Sequence, residues 1–580
     1  MSQEKNMEKY FFRASAADFK KVPGSPIAYW APKSVIEAFE NGTSLGDLVH
    51  ARIALATGDN SAFVRGWWEV SLSEIGFGMT TNEESVESGR KWFPCNKGGD
   101  FRKWYGNNEN LVNWFKDGEA VKSLVDMKTG RVRSHNYNGY FGFQESVTWS
   151  ALSSGKLGVR FSGPGFMFVT PGSSAFKKST EANLFVIQAL LSSSLADYFL
   201  RLISATMNIE VGNVLRIPFI PVSPDVVKVT QSAISLSQYD WDASEVSWDF
   251  TSLPLMQSEF RQPSLQSTYL QLRAYWSDLT LEMQRLEEEN NRIFINAYGL
   301  QDELKPEVPL KEITLTCNPH YRYGGDKTEA ELETQLQSDT MTEFLSYAVA
   351  CMFGRYSLDK PGLVLANQGD TLAEYLHQIP EPRFMPDEDN VIPLLDGEWF
   401  ADDVTERFRT FLRVTFGEIH YEANLAFIEQ SLGKDVRKYF LKDFYADHVK
   451  RYKKRPIYWL FSSPKGTFSA LIYLHRYRPD TVSVVLRYLR DFRKKLAARL
   501  DYLQQVGIST SASQGEKTRA LKEIETLKKQ LLELDDYERD TLYPLATEQV
   551  ALDLDDGVKV NYLKLGSALK KIIGLDAKED

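Results

Sequence analysis

The sequence predicts an α+β protein of several domains, β-rich first and largely helical afterwards, with a β-hairpin and an antiparallel helical hairpin near its C-terminal end. Three observations lead to that expectation. At 580 residues the chain is too long for a single core to be the default, so three or four domains is the starting estimate. Its 43% hydrophobic and 13% aromatic content is that of a folded chain. Short apolar runs separated by Gly, Asn and Ser fill the first part, whereas apolar residues recur every three or four positions in the later part.

Each element follows in order. Residues 1–20 are mixed and charged and read as a leading segment or remnant linker. The first domain is placed at 21–235. Within it, 33–49 holds two short amphipathic turns around Asn41 and Gly42, and "RIALATGDNSAFVRGWWEVSL" reads as strand, Gly-Asp-Asn turn and strand. Strand-like runs recur in "GRKWFPCNKGGDFRKWYG", "NLVNWF", "VTWSAL", "LGVRFSG" and "GFMFVTPG". Leu184, Ile187, Leu191, Leu195 and Phe199 then predict a helix over 182–205, and "ATMNIEVGNVLRIPFIPVS" a turn with an extended exit strand.

Residues 236–300 read as a polar-aromatic linker, "LSQYDWDASEVSWDF", and a long helix over 265–298 whose patch "RLEEENNRIF" faces solvent. A mainly helical domain at 301–440 contains helices over 336–355 and 367–377 and two more over 404–440. The basic domain at 441–580 opens with a β-hairpin, "RPIYWLFSSPKGTFSALIYLH", turning at Ser463, Pro464, Lys465 and Gly466. Val482, Val485, Leu489, Phe492, Leu496, Leu500 and Leu503, then Leu521, Ile524, Leu527 and Leu531, flank "GISTSASQG" and predict the helical hairpin.

The net charge of -10 does not by itself indicate a nucleic-acid binder, but residues 451–499 hold 13 Lys and Arg against only Asp480 and Asp491. Those cations lack acidic sequence neighbours and are expected to anchor phosphates. Three cysteines, Cys95, Cys317 and Cys351, are too far apart for a zinc signature and suit a reducing compartment. No run of 18 apolar residues and no cleavable leader pattern occurs, so a cytoplasmic protein without a membrane partner is expected.

"TCNPHYRYGG" at 316–325 comes near the Asn-Pro-Pro-Tyr motif with which amino-methylating DNA methyltransferases hold their target nitrogen. His320 stands where that motif has its second proline, and a long polar helix precedes it instead of alternating strands and helices. A turn opened by Asn318 and Pro319 is the better reading. "FSGPGFMF" lies among strands with no helix after it, so it makes a poor cofactor loop. No nucleophile elbow, phosphate loop or His-Glu-x-x-His helix occurs, and the seven histidines are scattered. Asp387, Glu388 and Asp389 cluster as a metal-dependent nuclease would need, but in a polar, proline-flanked loop that reads as a solvated turn.

Nucleic-acid contact has more support. Lys97, Arg102 and Lys103 alternate with Trp104 and Tyr105, either as a charged stacking surface or as half-buried strand residues beside solvated lysines. "GRVRSHNYNGY" offers Arg131, Arg133, His135 and Asn136 from a loop-rich stretch. "GDN" at 58–60 is either a polar contact or a tight turn.

"PGSPIAYWAP", "LATGDNSAFVRGWWEV", "KWFPCNKGGDFRKWYGNNENLVNWFKDG", "RFSGPGFMFVTPGSSAF" and "SATMNIEVGNVLRIPF" resemble the target-recognition region of large adenine-specific DNA methyltransferases, the PglX family of BREX phage-defence systems. "LEEENNRIFINAYGLQDELKPEVPLKEITLTCNP", "CMFGRYSLDKPGLVLANQG" and "LGKDVRKYFLKDFYADHVKRYKKRPIYWLFSSPKGTFSALIYLHRYRPDTV" resemble the C-terminal half of the same proteins. The resemblance covers nearly the whole chain and makes 21–235 a DNA target-recognition domain. The family's S-adenosyl-L-methionine fold and Asn-Pro-Pro-Tyr motif lie in an N-terminal half that has no counterpart here, so no complete Rossmann-like methyltransferase domain is expected. The resemblance therefore implies a split subunit, a truncated gene product or an excised piece, with no catalytic residue and no cofactor of its own. Double-stranded DNA, the N-terminal methyltransferase half and other BREX proteins are the implied partners.

On that footing the expected recognition surface comprises Asp59, Asn60 and Arg65; Lys103, Trp104 and Tyr105; and Arg131, Arg133 and Arg160. Ser173, Ser174, Asn208 and Asn213 join it from polar loops. Lys453, Lys454, Arg455 and Lys465 are the expected backbone contacts. These positions come from local composition rather than from motif matching. A standalone DNA-binding or regulatory module and a non-functional truncated product remain alternatives.

Overall fold

The computed structural model describes residues 15–151, 156–180, 182–203 and 209–575. It is α+β, as expected: small mixed sheets come first and a largely helical part with one β-hairpin follows.

The alternation of the first strands determines what each face buries. One sheet runs, in spatial order, Val49–Arg52 (β2), Gly172–Lys177 (β9), Ser146–Ser150 (β6) and Val159–Ser162 (β7), antiparallel throughout. Val147, Trp149, Val159 and Ala175 point from it into a core shared with helices Leu184–Leu191 (α1) and Ser194–Ile203 (α2). The second sheet runs Val64–Gly66 (β3), Asn110–Asn113 (β5), Trp92–Asn96 (β4) and Met167–Phe168 (β8), with only β4 and β8 parallel. Phe93, Cys95 and Val112 pack on one of its faces, and Trp92 and Leu111 on the other, against the main core. Period-two alternation with both faces apolar makes this a sheet covered on both sides. A two-stranded pair, Thr43–Ser44 (β1) with Pro218–Phe219 (β10), closes the region.

The single helix expected over 182–205 is two, bent by 70° where Ser192 and Ser193 intervene. Ser193 Oγ donates to the Leu190 carbonyl, satisfying an acceptor left at the first helix end. No single helix among the described residues is long and apolar enough to cross a membrane. The stretch read as a linker from 236 is in fact the end of helix Asp225–Asp242 (α3), which buries Ala233, Ile234 and Trp241.

The long helix is observed at Leu265–Ala297 (α4), opened by a capping box between Ser264 and Ser267. The expected solvent patch holds for one side of the helix only: Arg285 and Arg292 are exposed, whereas Glu287, Asn290 and Asn291 are buried, because Lys103, Trp104 and α1 cover their side. Glu329–Met352 (α5), Val404–Phe416 (α6) and Tyr421–Leu432 (α7) follow. The hairpin strands Tyr458–Ser462 (β12) and Ser469–Tyr473 (β13) take up a third strand, Ile392–Pro393 (β11), in the order β11-β13-β12. Thr481–Ile508 (α8) and Gln514–Tyr537 (α9) form the helical hairpin. One apolar core contains Trp67, Leu272, Tyr347, Tyr473 and Leu534, so early and late parts of the chain share it.

His475 ties those parts together. Its Nε2–H donates to the Val70 carbonyl at 3.1 Å, and complete burial pushes its pKa down to about 3. Between pH 6.5 and 3 the unfolded chain binds a proton there that the folded chain does not, so stability falls as pH falls. The loss is up to about 1.4 kcal/mol per pH unit. The melting temperature of His475→Gln should therefore drop less from pH 7.5 to 5 than that of the parent chain; equal drops would refute the assignment.

Candidate nucleic-acid interface

Four of the expected recognition residues converge on one surface. Gly58 adopts a φ of +77°, and Asp59 caps the turn Asn60–Phe63 by accepting from the Ala62 amide. The Thr57 hydroxyl donates to Asn60 Oδ1 at 2.8 Å. Ala56 and His135 exchange backbone hydrogen bonds at 3.0 Å, which lays the 124–135 segment beside this turn. Any Cβ on Gly58 would lie 2.7 Å from that of Arg133, so glycine there permits the approach.

The 124–133 segment is a small hairpin loop. Val125 bridges Val132, and the Arg133 amide donates to the Leu124 carbonyl. Asp126 Oδ1 accepts from the Lys128 and Thr129 amides at 3.0 and 2.8 Å; with the Thr129 hydroxyl these bonds hold its pKa below the usual carboxylate range. Lys128, Arg131 and Arg133 are exposed around the tip, together with Met127 at 92% exposure. Cations beside an exposed apolar side chain can pair phosphate contact with base-edge contact. Composition alone missed Lys128 and Met127; the Asp-x-x-x-Gly turn between Val125 and Val132 was the available signal.

The other recognition candidates lie elsewhere, and burial is the reason. Lys103 Nζ pairs with Glu287, and Trp104 Nε1 donates to the same carboxylate at 2.8 Å. The Trp104 amide and carbonyl also extend the edge of β7, through Val159 and Phe161. Tyr105 is partly buried against the main core. Arg160 donates to main-chain carbonyls of Arg102 and Gly158, and burial lowers its pKa to about 10. Ser173 and Ser174 are buried within β9. Arg65 is buried beside the chain's C-terminal part. Lys103, Trp104, Arg160, Ser173 and Ser174 are buried and hold the fold together, whereas Arg65 lines a cleft. Asn213 is half-buried in the short helix Val211–Leu215, and Asn208 lies outside the described residues.

The basic run at 451–499 is largely compensated by acids distant in sequence. Arg451 pairs with Glu245, Lys453 with Glu109, Arg487 with Asp389, Arg490 and Arg493 with Glu538, and Arg499 with Glu523. The expectation that nothing neutralises it is thereby corrected. Lys454 and Lys465 are exposed; Lys465 sits on the hairpin turn, where its amide donates to Glu533 at 2.7 Å. Lys453 and Lys454 have φ of +50° and +62°, a left-handed pair at the end of helix Tyr445–Arg451.

The two decoys resolve structurally. Asn318 caps the helix Pro319–Tyr323, accepting from the His320 amide and donating to the carbonyls of Leu310 and Ile313. Tyr321 donates its hydroxyl to the Phe101 carbonyl. Asp387 is buried rather than solvated, with Arg476 on its carbonyl and on that of Glu388, and Arg487 on Asp389. No group of three or more His, Cys, Asp or Glu suited to a metal ion occurs among the described residues.

No family model matches the chain. It is 40% identical over 572 residues to the adenine-specific methyltransferase PglX of Lacticaseibacillus casei (strain Zhang). It is 36% identical over 573 residues to the adenine-specific methyltransferase BrxX of Escherichia coli O9:H4 (strain HS). Each alignment takes in 96% of this chain and 45% of the relative, so the chain spans less than half the length of either. Identity of this degree over this length establishes homology to that part of both proteins.

Proposed function

We propose that this chain is the DNA-recognition and clamping portion of an adenine-N6-specific DNA methyltransferase of a BREX-type phage-defence system. The observation that carries the reading is the alignment of nearly the whole chain with part of two adenine-specific methyltransferases. In this reading Asp59, Asn60, Arg131 and Arg133 meet base edges, with Lys128 beside them, and Lys454 and Lys465 meet phosphates. Other BREX proteins are further partners, and the setting is the cytoplasm.

Methyl transfer from S-adenosyl-L-methionine belongs, in the same reading, to a catalytic half outside this chain. The residues present do not fit that cofactor: Gly163 and Gly165 join β7 to β8, with no helix after them to receive a carboxylate or ribose. No catalytic step is therefore assigned to these residues.

The test is duplex binding across a salt series, with methyl transfer measured with and without the catalytic half. Affinity should fall about 100-fold between roughly 50 and 200 mM salt if about four phosphates are contacted. Methylation should require the added half. Weak, salt-insensitive binding, or a folded mixture that stays inactive on its proper site, would overturn the proposal.

A further inference from the structure

A cleft of about 140 Å³ lies where β3 and the ends of β4 and β5 meet the 453–455 turn and the start of helix Gly557–Lys564. Five cations line it: Arg65, Lys97, Lys453, Arg455 and Lys559. Three acids face them, each already engaged. Glu69 accepts from the amides of Gly66 and Val558 at 2.8 and 2.9 Å. Glu109 pairs with Lys453, and the Asp556 carboxylate accepts from Lys564 at 2.9 Å. Arg455 also lies 4.0 Å from Glu69, which leaves Arg65 and Lys97 as the lining cations to account for.

Arg65 shows what is missing. It is 8% exposed, yet its Nη atoms donate only to main-chain carbonyls, those of Ser61, Val64, Asp555 and Asp556. Its Nε has no hydrogen-bond partner, and it faces Gly557, at the cleft wall, closely enough that a Cβ there would lie 2.5 Å away. The guanidinium lies 5.2 Å from the centre of the Trp92 ring, which offers only a partial counterpart. Burial lowers its pKa more than the carboxylates of Glu69, Asp555 and Asp556 raise it, and none of the three pairs with it directly. Such a cation is costly unless an anion reaches it. Lys97 is half-buried and makes no ion pair among the described residues.

We propose that this cleft binds a phosphate group, supplied by the duplex backbone, and that the bound phosphate joins the β-rich part to the C-terminal part. The source rests on the DNA reading above; the anion chemistry does not. Its size suits one phosphate rather than a nucleotide, and Lys97 and Lys453 provide donors from both parts of the chain, with the Arg65 guanidinium charge at the wall.

The test compares the full chain with Lys97→Gln/Lys453→Gln, and uses Lys97→Arg as a charge-preserving control for folding. With inorganic phosphate as probe against chloride at equal ionic strength, the parent and Lys97→Arg should melt higher and the double variant should not. On duplex DNA the double variant should bind about 10-fold more weakly, with a salt slope shallower by about one. Stabilisation by phosphate without any duplex binding would keep the cleft, assign it free phosphate, and reject the DNA source. Normal duplex binding with an unchanged slope in the double variant and no phosphate effect would overturn the cleft while leaving the DNA reading intact.

Discussion

Glu287→Ala should destabilise the chain by about 3–5 kcal/mol, the cost of leaving a buried charge without its partner. Glu287 and Lys103 are 4% and 8% exposed as side chains, and Trp104 donates to the same carboxylate. The substitution leaves an ammonium and an indole N–H buried between the 103–104 segment and α4, where water cannot replace the missing acceptor. Glu287→Gln keeps an acceptor for Trp104 but removes the charge, so it should fall between the two. Removing both charges with Lys103→Met/Glu287→Leu should recover most of the stability, because well-packed apolar groups avoid the desolvation penalty. Urea unfolding followed by tryptophan fluorescence measures each step. A loss below about 1 kcal/mol for Glu287→Ala would mean that the pair is hydrated in solution.

The second large effect concerns selectivity. Arg131→Ala/Arg133→Ala should remove discrimination between matched and scrambled duplexes, at about 1–3 kcal/mol for each bidentate pair of hydrogen bonds to a base that disappears. Reversing Lys453, Lys454 and Arg455 to Glu should instead weaken all duplexes alike and flatten the salt dependence. The distinction follows from position: Arg131 and Arg133 stand on an exposed hairpin loop beside Asp59 and Asn60, whereas Lys453 and Arg455 line a cleft next to Glu109 and Glu69. Binding series over matched and scrambled sites separate the two sets. If the triple reversal changed only the preference, or the arginine pair only the overall affinity, the roles would be exchanged.

Local signals explain what could be read ahead of the structure. The long helix expected over 265–298 occurs at Leu265–Ala297, since its apolar spacing and Ser264 cap are contained within one stretch. The β-hairpin turning at Ser463 and Gly466 and the helical hairpin on either side of 509–513 are equally local. The turn at Asp59 and Asn60 and the exposure of Arg131 and Arg133 follow from local composition, because tight polar turns tend to lie at surfaces. Lys103, Trp104, Arg160 and Ser174 were not: strand alternation identifies two faces but not which of them another layer will cover. In "RLEEENNRIF" the same limit holds for half the turn: Arg285 and Arg292 are exposed, but Glu287, Asn290 and Asn291 face Trp104, α1 and the 306 turn across the interior.

By itself the sequence determined the α+β class, the period of the helices and the two local hairpins, all of which depend on neighbours a few residues away. Only the tertiary structure decided which charges are available. Lys453 meets Glu109 from 344 positions away and Arg451 meets Glu245 from 206, so a run that is strongly basic along the chain is largely neutral in space. Electrostatic energy depends on distance through the folded molecule and on burial, and neither is encoded by proximity in sequence.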